Sequence, residues 1–598
     1  MSFFTDAKCC IVDCNNFTIT NSKSVCRLCQ AVYCHEHNVQ AYHDCVWLDL
    51  LNPTRKHVEQ QQIDRQIRLR QYGLLLEKLE RSRFAIINLA VSLRPGHHCI
   101  LVLPPDSKTI LDNERSYGAI NIHFPLEFDD GVKWLIRVRQ AHHGVPPIEV
   151  LKQTAISEAV TLQTLKTFGM PVPRAWMPIK TTVEAEEAGA LVEDTSICYF
   201  FCEFMAGKSQ LMPHITLQTY RHVDDHHRRL IEDYGRNQIL LSNHPIKSTL
   251  IGSLVPSNGH NDSVSVGPLL SLWGVNNIQA PHFPGPFKSN KQRYLTQIDI
   301  VLSHISEGVM NENDALNAYL WHLTLKELVE TCPELAEEVT EVYVRHADAK
   351  GDILRGDDEG NLTAILDWEM AFVTTKAEAF SSPLFCYHTN APYERQDLHT
   401  VREQVLIDFY DHSNRPDLAH CVRKGKKYQY LESIGRFHGW YVMICMPMAL
   451  MDAFEDTKPE SLQPPFYADK DWTVYMVERY IDNPELRKLI SKAGWDLEEE
   501  RKKVISSRGW EEKDRKRSEW WSLSAEDRRR RKSEDVVARE KAMAENRLRL
   551  KLKKQKKMEE GATGGTDVKR RVKKITKSHD DTPMTIEEEE STGPVRSS

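Results

Sequence analysis

The chain has 598 residues, of which 41% are hydrophobic and 27% charged, with a mean hydropathy of −0.49. That length exceeds what one hydrophobic core organises, so two or three structural units plus linkers are expected. No apolar run approaches the roughly eighteen residues of a membrane span, and the opening MSFFTDAKCC lacks the basic-then-apolar order of a secretory signal. The expectation is a cytosolic or nuclear protein with no membrane contact, in a compartment where disulfides do not persist. Charge is unevenly placed. Residues 501–598 carry 29 Lys+Arg against 19 Asp+Glu, a net +10, and the total of −7 leaves −17 for residues 1–500.

Seven of the fourteen cysteines fall in the first 45 residues, at Cys9, Cys10, Cys14, Cys26, Cys29, Cys34 and Cys45. In a reducing compartment such clustering favours a metal over disulfides. Zinc takes four tetrahedral thiolate or imidazole ligands, usually as close pairs. The pairs are Cys10-x3-Cys14 (or Cys9-x4-Cys14), Cys26-x2-Cys29, Cys34-x2-His37 and His43-x-Cys45. Four pairs make two structural sites, and two ions would supply the folding free energy that so short a segment lacks. From Cys26 to Cys45 the spacing resembles the AN-one-type zinc finger, which normally opens with C-x2-C. Cys9 and Cys10 therefore compete as first ligand, with Cys10 preferred. The resemblance implies one zinc on Cys10, Cys14, Cys34 and His37 and another on Cys26, Cys29, His43 and Cys45. It also implies protein partners, in ubiquitin or chaperone pathways.

Residues 51–115 carry apolar side chains at three- and four-residue spacing and read as a helical linker. In SYGAINIHFPLEFDDGVKWLIRVRQ, alternation through Ile120, Ile122, Phe124, Leu126 and Phe128 meets a DDG turn and a returning WLIRV strand. EVLKQTAISEAVTLQTLKTFG reads as a helix ended by Gly169, and ICYFFCEFMAG as a buried strand. The most informative stretch is VRHADAKGDILRGDDEGNLTAILDWEMAF, a hairpin around DDEGN with Asp348 and Asp352 before it and Asp367 just after. A hairpin brings its ends together, so the three carboxylates are expected at one mouth. Clustered carboxylates call for a hard cation, and Mg²⁺ held partly by nucleotide phosphates suits them.

HADAKGDIL followed by ILDWE resembles the catalytic core of the aminoglycoside phosphotransferase and choline kinase-like superfamily, a branch of the protein-kinase fold. The wording, with AEAFSSP behind it, is similar to a group of fungal proteins carrying this domain. The resemblance spans about 116–450. It implies an α+β, two-lobed protein-kinase-like fold, with a small β-rich lobe at 116–206 and a large helical lobe at 207–485. It further implies Mg²⁺- and ATP-dependent phosphoryl transfer to a small-molecule hydroxyl. Asp348 would take the hydroxyl proton and Asp367 would hold Mg²⁺. Asp352 would stand where the family usually has Asn. Arg137 would replace the phosphate-binding Lys, with Glu158 as its ion-pair partner, and residues 201–205 would receive the adenine. His346 would hold the loop. The chain departs from the pattern: Asp348 to Asp352 is four steps rather than five, and SYGAIN is no Gly-rich phosphate loop. These departures keep a catalytically inactive scaffold as the alternative.

Residues 486–598 are expected to be a charged, helical-to-disordered tail with too little apolar surface for a core. RRRRK at 528–532 and KRRVKK at 569–574 suit nuclear import or nucleic-acid binding. With the zinc finger at 1–50, the predicted organisation is finger, helical linker, two lobes and tail.

Overall fold

A computed structural model describes residues 55–113, 120–140, 146–177, 197–210, 223–257, 264–270, 280–310, 314–387, 399–432 and 469–505, with short pieces elsewhere. The eight expected zinc ligands and residues 116–119 of the SYGAIN segment lie outside the described residues, as does most of the tail. Met1–Ala525 form one compact unit and Glu526–Ser598 a second. The elements below all belong to the first. In the second, Asp527 and Arg530 form an i,i+3 ion pair at 2.8 Å.

A five-stranded antiparallel sheet organises the first part of the body. Its strands are β1 (Cys99–Leu101), β2 (Asn121–Phe128), β3 (Lys133–Arg139), β4 (Ala175–Trp176) and β5 (Tyr199–Glu203), in the spatial order β1-β2-β3-β5-β4. The β2–β3 hairpin turns at Asp129–Asp130–Gly131, where Gly131 takes the left-handed φ of +85° that a turn there requires. Period-two alternation gives the sheet two different faces. Ile122, Phe124, Leu126, Trp134, Ile136 and Val138 are buried on one of them. They pack with Tyr72, Leu79, Ile86 and Ala90 of α1 (Arg55–Arg81) and α2 (Arg83–Leu93). Residues 51–115 are therefore more than a linker. Their helices cover one sheet face, and Cys99–Leu101 adds an edge strand to it. So short a strand carries too little alternation to be distinguished from loop.

The opposite face presents Asn121, His123, Arg137 and Arg139, with His123 paired to Arg137 and Asn121 to Arg139 in the ladder. Helix α3 (Ile148–Thr167) follows this sheet strand and buries Leu151, Ala155, Ala159, Leu162 and Leu165 in the main core, together with Phe200 and Cys202 of β5. It ends at Phe168, and Gly169 follows with φ +82°.

The remainder is mostly helical. Long helices at Asp225–Ser242, Asn290–Ser306, Ala315–Thr331 and Val401–His412 surround short strands. The latter two thirds hold a second core, in which Tyr294, Ile298, Leu320, Trp321 and Trp472 are buried. That core also takes Leu486 and Leu489 of Pro484–Ala493. The expected lobe boundary at 485 thus falls inside a packed helix. Leu486 and Leu489, three apart, give that helix an apolar stripe that the surrounding charges conceal in composition. The described fold is α+β in the order anticipated: antiparallel sheet with one long helix, then helices. Six of the seven cysteines beyond the head are described, and all six are buried free thiols. Among the described residues no helix is long and apolar enough to cross a membrane.

Candidate active site

Asp348, Asp352 and Asp367 hang on a small hairpin. Strand β6 (Glu341–Arg345) delivers the chain to His346. The hairpin itself is β7 (Leu354–Gly356) and β8 (Leu362–Ile365), joined through Asp357–Gly360 with Gly360 at φ +84°. Its open end is tied by Leu366 N donating to Ile353 O at 2.9 Å, which keeps the segments carrying Asp352 and Asp367 side by side.

His346 fixes the loop through both ring nitrogens. Nε2 lies 2.9 Å from Leu366 O, and Nδ1 accepts from the Asp348 backbone N–H at 3.2 Å. A carbonyl only accepts and an amide N–H only donates, so these partners define one neutral tautomer with the proton on Nε2. Burial lowers the His346 pKa, in keeping with that state. The ring also lies 4.7 Å from Trp368, whose Nε1 donates to Ile365 O at 3.0 Å. Asp367 and Met370 both adopt left-handed backbone, at φ +62° and +60°. Such φ values are uncommon away from glycine and cost about 1–3 kcal/mol each. Both lie in the run that directs Asp367 and Glu369 toward the sheet.

The polar face of the sheet meets that run in one buried network. Arg137 Nε donates to Glu158 Oε2 at 3.2 Å, and Nη2 to Asp367 Oδ1 at 2.5 Å and Glu369 Oε2 at 3.4 Å. Its Nη1 lies 2.9 Å from His123 Nε2. Arg139 bonds Glu158 Oε2 at 2.6 Å and also Glu369 and Asn121, while Asn121 Nδ2 donates to Glu369 at 2.6 Å. Burial opposes the charge on Arg137, but the carboxylates of Glu158, Asp367 and Glu369 outweigh it and hold its pKa above the ordinary range. Burial and the adjacent Arg137 push His123 down to about 3, so it is neutral and accepts from the guanidinium. For Asp367 the desolvation cost is overcome by Arg137, and its pKa is lowered. Its side chain nevertheless remains 41% exposed, against 2% for Glu158.

Arg137 is thus paired with Glu158 and also with Asp367, a second contact that the sequence did not anticipate. The three aspartates do not converge as expected. Among the described residues, the one trio of His, Cys, Asp or Glu with ligand atoms within 4.8 Å of one another is His97, Asp129 and Asp130, at the distant β2–β3 turn. In that trio Asp130 already pairs with Arg94 at 2.5 Å. Lys350 instead forms an ion pair with Asp348, and the charges of Asp352 and Asp367 also act on it. Partial burial opposes the Lys350 charge, yet Asp348, then Asp352 and Asp367, raise its pKa. A built-in cation meets the electrostatic need of the cluster and lets the carboxylates stay apart. The site therefore includes Lys350, Arg139, Glu369, Asn121 and His123, none of which was anticipated from the sequence. Arg139 and Asn121 share a sheet face with Arg137 and are recoverable from alternation; Lys350 has no such signal. The histidines at 226 and 227 form no metal group; His227 Nδ1 pairs with Asp224 at 2.7 Å and His226 packs against the Gly360 turn.

No family model matches the sequence, and no curated protein matches it. Solved structures do match. The chain is similar to a thermostable mutant of the aminoglycoside phosphotransferase APH(4)-Ia in complex with AMP-PNP and hygromycin B, with 13% identity and a TM-score of 0.30, over 58% of this chain and 91% of that one. It is similar to the macrolide 2′-phosphotransferase MphH from Brachybacterium faecium, with 15% identity and a TM-score of 0.30, over 63% and 99%. It is also similar to a Plasmodium vivax ethanolamine kinase, with 11% identity and a TM-score of 0.33, over 68% and 89%. At such scores the functional case rests on this chain's own residues.

Proposed function

We propose that this chain is a kinase-like phosphotransferase that moves the terminal phosphoryl group of ATP to a hydroxyl of a small molecule. The observation that carries the reading is the Arg137 fork. It joins Glu158 on α3 to Asp367 beyond the hairpin, and so ties the sheet to the aspartate segment while the Asp367 side chain stays partly open to solvent. Phosphoryl transfer needs little covalent help from a protein; positioning and charge stabilisation suffice. Asp348, whose backbone is anchored by His346, orients the acceptor hydroxyl and takes its proton as the new oxygen–phosphorus bond forms and ADP leaves. Lys350 balances the charge of Asp348 before that proton arrives. Asp367, half exposed, and Asp352 are the residues that would hold Mg²⁺, an ion satisfied by one or two carboxylates plus phosphates. When bound, it neutralises phosphate charge. Release of labelled phosphate from γ-labelled ATP onto a panel of hydroxyl acceptors tests this reading. Transfer is expected for the wild type and a fall of at least about a hundredfold for Asp348→Asn. Transfer unaffected by that substitution contradicts the assignment.

One observation favours the alternative, a kinase-like scaffold without turnover. Every nitrogen of Arg137 already has a partner in the protein, and Lys350 already occupies Asp348. A wild type that binds nucleotide but transfers to no acceptor supports the scaffold. In either reading the head is a two-zinc interaction module for protein partners, in ubiquitin or chaperone pathways, and the basic tail a further contact for nucleic acid. Metal analysis should return two zinc ions per chain, and one or none contradicts the eight-ligand assignment. RNA retention that weakens with salt and disappears on deletion after residue 500 would support the tail's role.

A further inference from the structure

The cations of the site differ in one respect. Arg137, Arg139 and Lys350 each sit on carboxylates. Arg355 does not. Among the described residues none of its nitrogens has a hydrogen-bond or ion-pair partner, and its Nε is closed off from solvent. The residue is half-buried. Its backbone is held on both sides, paired with Ala364 across the hairpin and with Ser209 on the other edge. Leu354, its neighbour, is fully buried in the main core, so strand alternation sends Arg355 the other way. Its charge adds, as the smallest contribution, to the effects that keep His123 neutral. Arg355 therefore stands on the hairpin three residues beyond Asp352, with its side chain turned away from the main core.

A guanidinium partly withdrawn from water with no acceptor is unfavourable unless a ligand completes it. Its planar fork matches phosphate oxygens. We propose that Arg355 is an anion-binding residue of this site and receives a phosphate group of the nucleotide, while Arg137 stays committed to Glu158 and Asp367. The inference rests on the nucleotide reading above and revises the sequence-based assignment of Arg137 as the phosphate ligand. Arg137 becomes the brace that sets Asp367, and Arg355 supplies the open positive charge.

Calorimetric titration of ATP and of adenosine into wild type, Arg355→Ala and Arg355→Lys separates the possibilities. Arg355→Ala should weaken ATP binding by about tenfold, the scale of one lost charge-assisted contact, and leave adenosine binding as in the wild type. Arg355→Lys should recover part of the loss. ATP affinity unchanged in Arg355→Ala, or an equal loss for adenosine, overturns the assignment of Arg355 alone. A wild type that binds no ATP overturns the nucleotide reading and this inference with it. Arg355→Gln, which keeps the stem and a polar head, guards against a folding defect: it should bind ATP as weakly as the alanine variant, and wild-type affinity in it counts against the proposal.

Discussion

Two buried arginine–glutamate clusters lie in this protein and behave differently. In the large helical part, Glu378 accepts from Arg293 Nη2 at 2.6 and 2.7 Å, from Tyr294 Oη at 2.8 Å and from Thr374 Oγ1 at 2.5 Å. Arg345 closes the cluster through the Glu378 carbonyl, Ser381 and Glu432. Arg293 and Glu378 are 3% and 2% exposed. At the candidate site, Glu158 also meets two arginines, yet the cluster there includes Glu369 and the 41% exposed Asp367. Burial works against both glutamates. For Glu378 the guanidiniums of Arg293 and Arg345 prevail and its pKa is lowered. For Glu158 burial, reinforced by repulsion from Glu369 and Asp367, leaves its pKa raised despite Arg137 and Arg139. The same residue types form a fully buried brace in one place and a partly open cluster in the other, and each leaves one buried guanidinium Nε, of Arg293 and of Arg139, without a partner. Perturbed carboxylates of this sort occur both at functional sites and in structural ion-pair networks.

The largest effect should come from breaking the fully buried cluster. Glu378→Gln leaves Arg293 buried without its counter-charge, and equilibrium denaturation should show a loss of about 3–5 kcal/mol. Glu158→Gln relieves repulsion as it loses attraction, so its cost at neutral pH should be smaller, under about 2 kcal/mol. Equal costs would erase the distinction.

The pH dependence separates the two glutamates by sign. A folded pKa below the unfolded value, as for Glu378, gives stability that is complete above about 4.5 and lost as pH falls through the folded value. Glu158, with its pKa raised, binds its proton more tightly when folded. Its contribution is fullest below 4.5 and fades as pH rises through the folded value. Stability measured from pH 3 to 8 should therefore lose part of its acid-side fall in Glu378→Gln and part of any decline above pH 4.5 in Glu158→Gln. Parallel curves for the two variants would contradict this.

Much of the site is legible in the sequence because it follows from periodicity and turn chemistry. WLIRV after DDG places Arg137 on a strand, SEAVTLQTL places Glu158 on the next helix, and DDEGN between apolar strands places Asp367 at the hairpin's open end. Arg139 sits two residues from Arg137 on the same strand, within reach of its alternation, whereas Glu369 lies in a turn past the hairpin, where alternation does not apply. Lys350 and Arg355 are different. Nothing in a sequence reveals that the charges of three aspartates act on one lysine or that one arginine lacks a partner, because both depend on how strands far apart in sequence come together. The positive φ of Met370 is equally hidden, while that of Asp367 is only faintly signalled by a residue type that visits the left-handed region more than most. In the fold, the strand Cys99–Leu101 and the helix Pro484–Ala493 join neighbouring cores through contacts that composition does not report.

The central claim is that Arg137 and Asp367 frame a working nucleotide site. The most direct test is thermal unfolding of the wild type and Asp367→Ala with ATP, in the presence and absence of Mg²⁺. The account predicts a wild-type stabilisation that depends on Mg²⁺, about 2.7 kcal/mol at a hundredfold excess over the dissociation constant, and its disappearance in Asp367→Ala. No nucleotide stabilisation in the wild type, or one that survives the substitution unchanged, would contradict it.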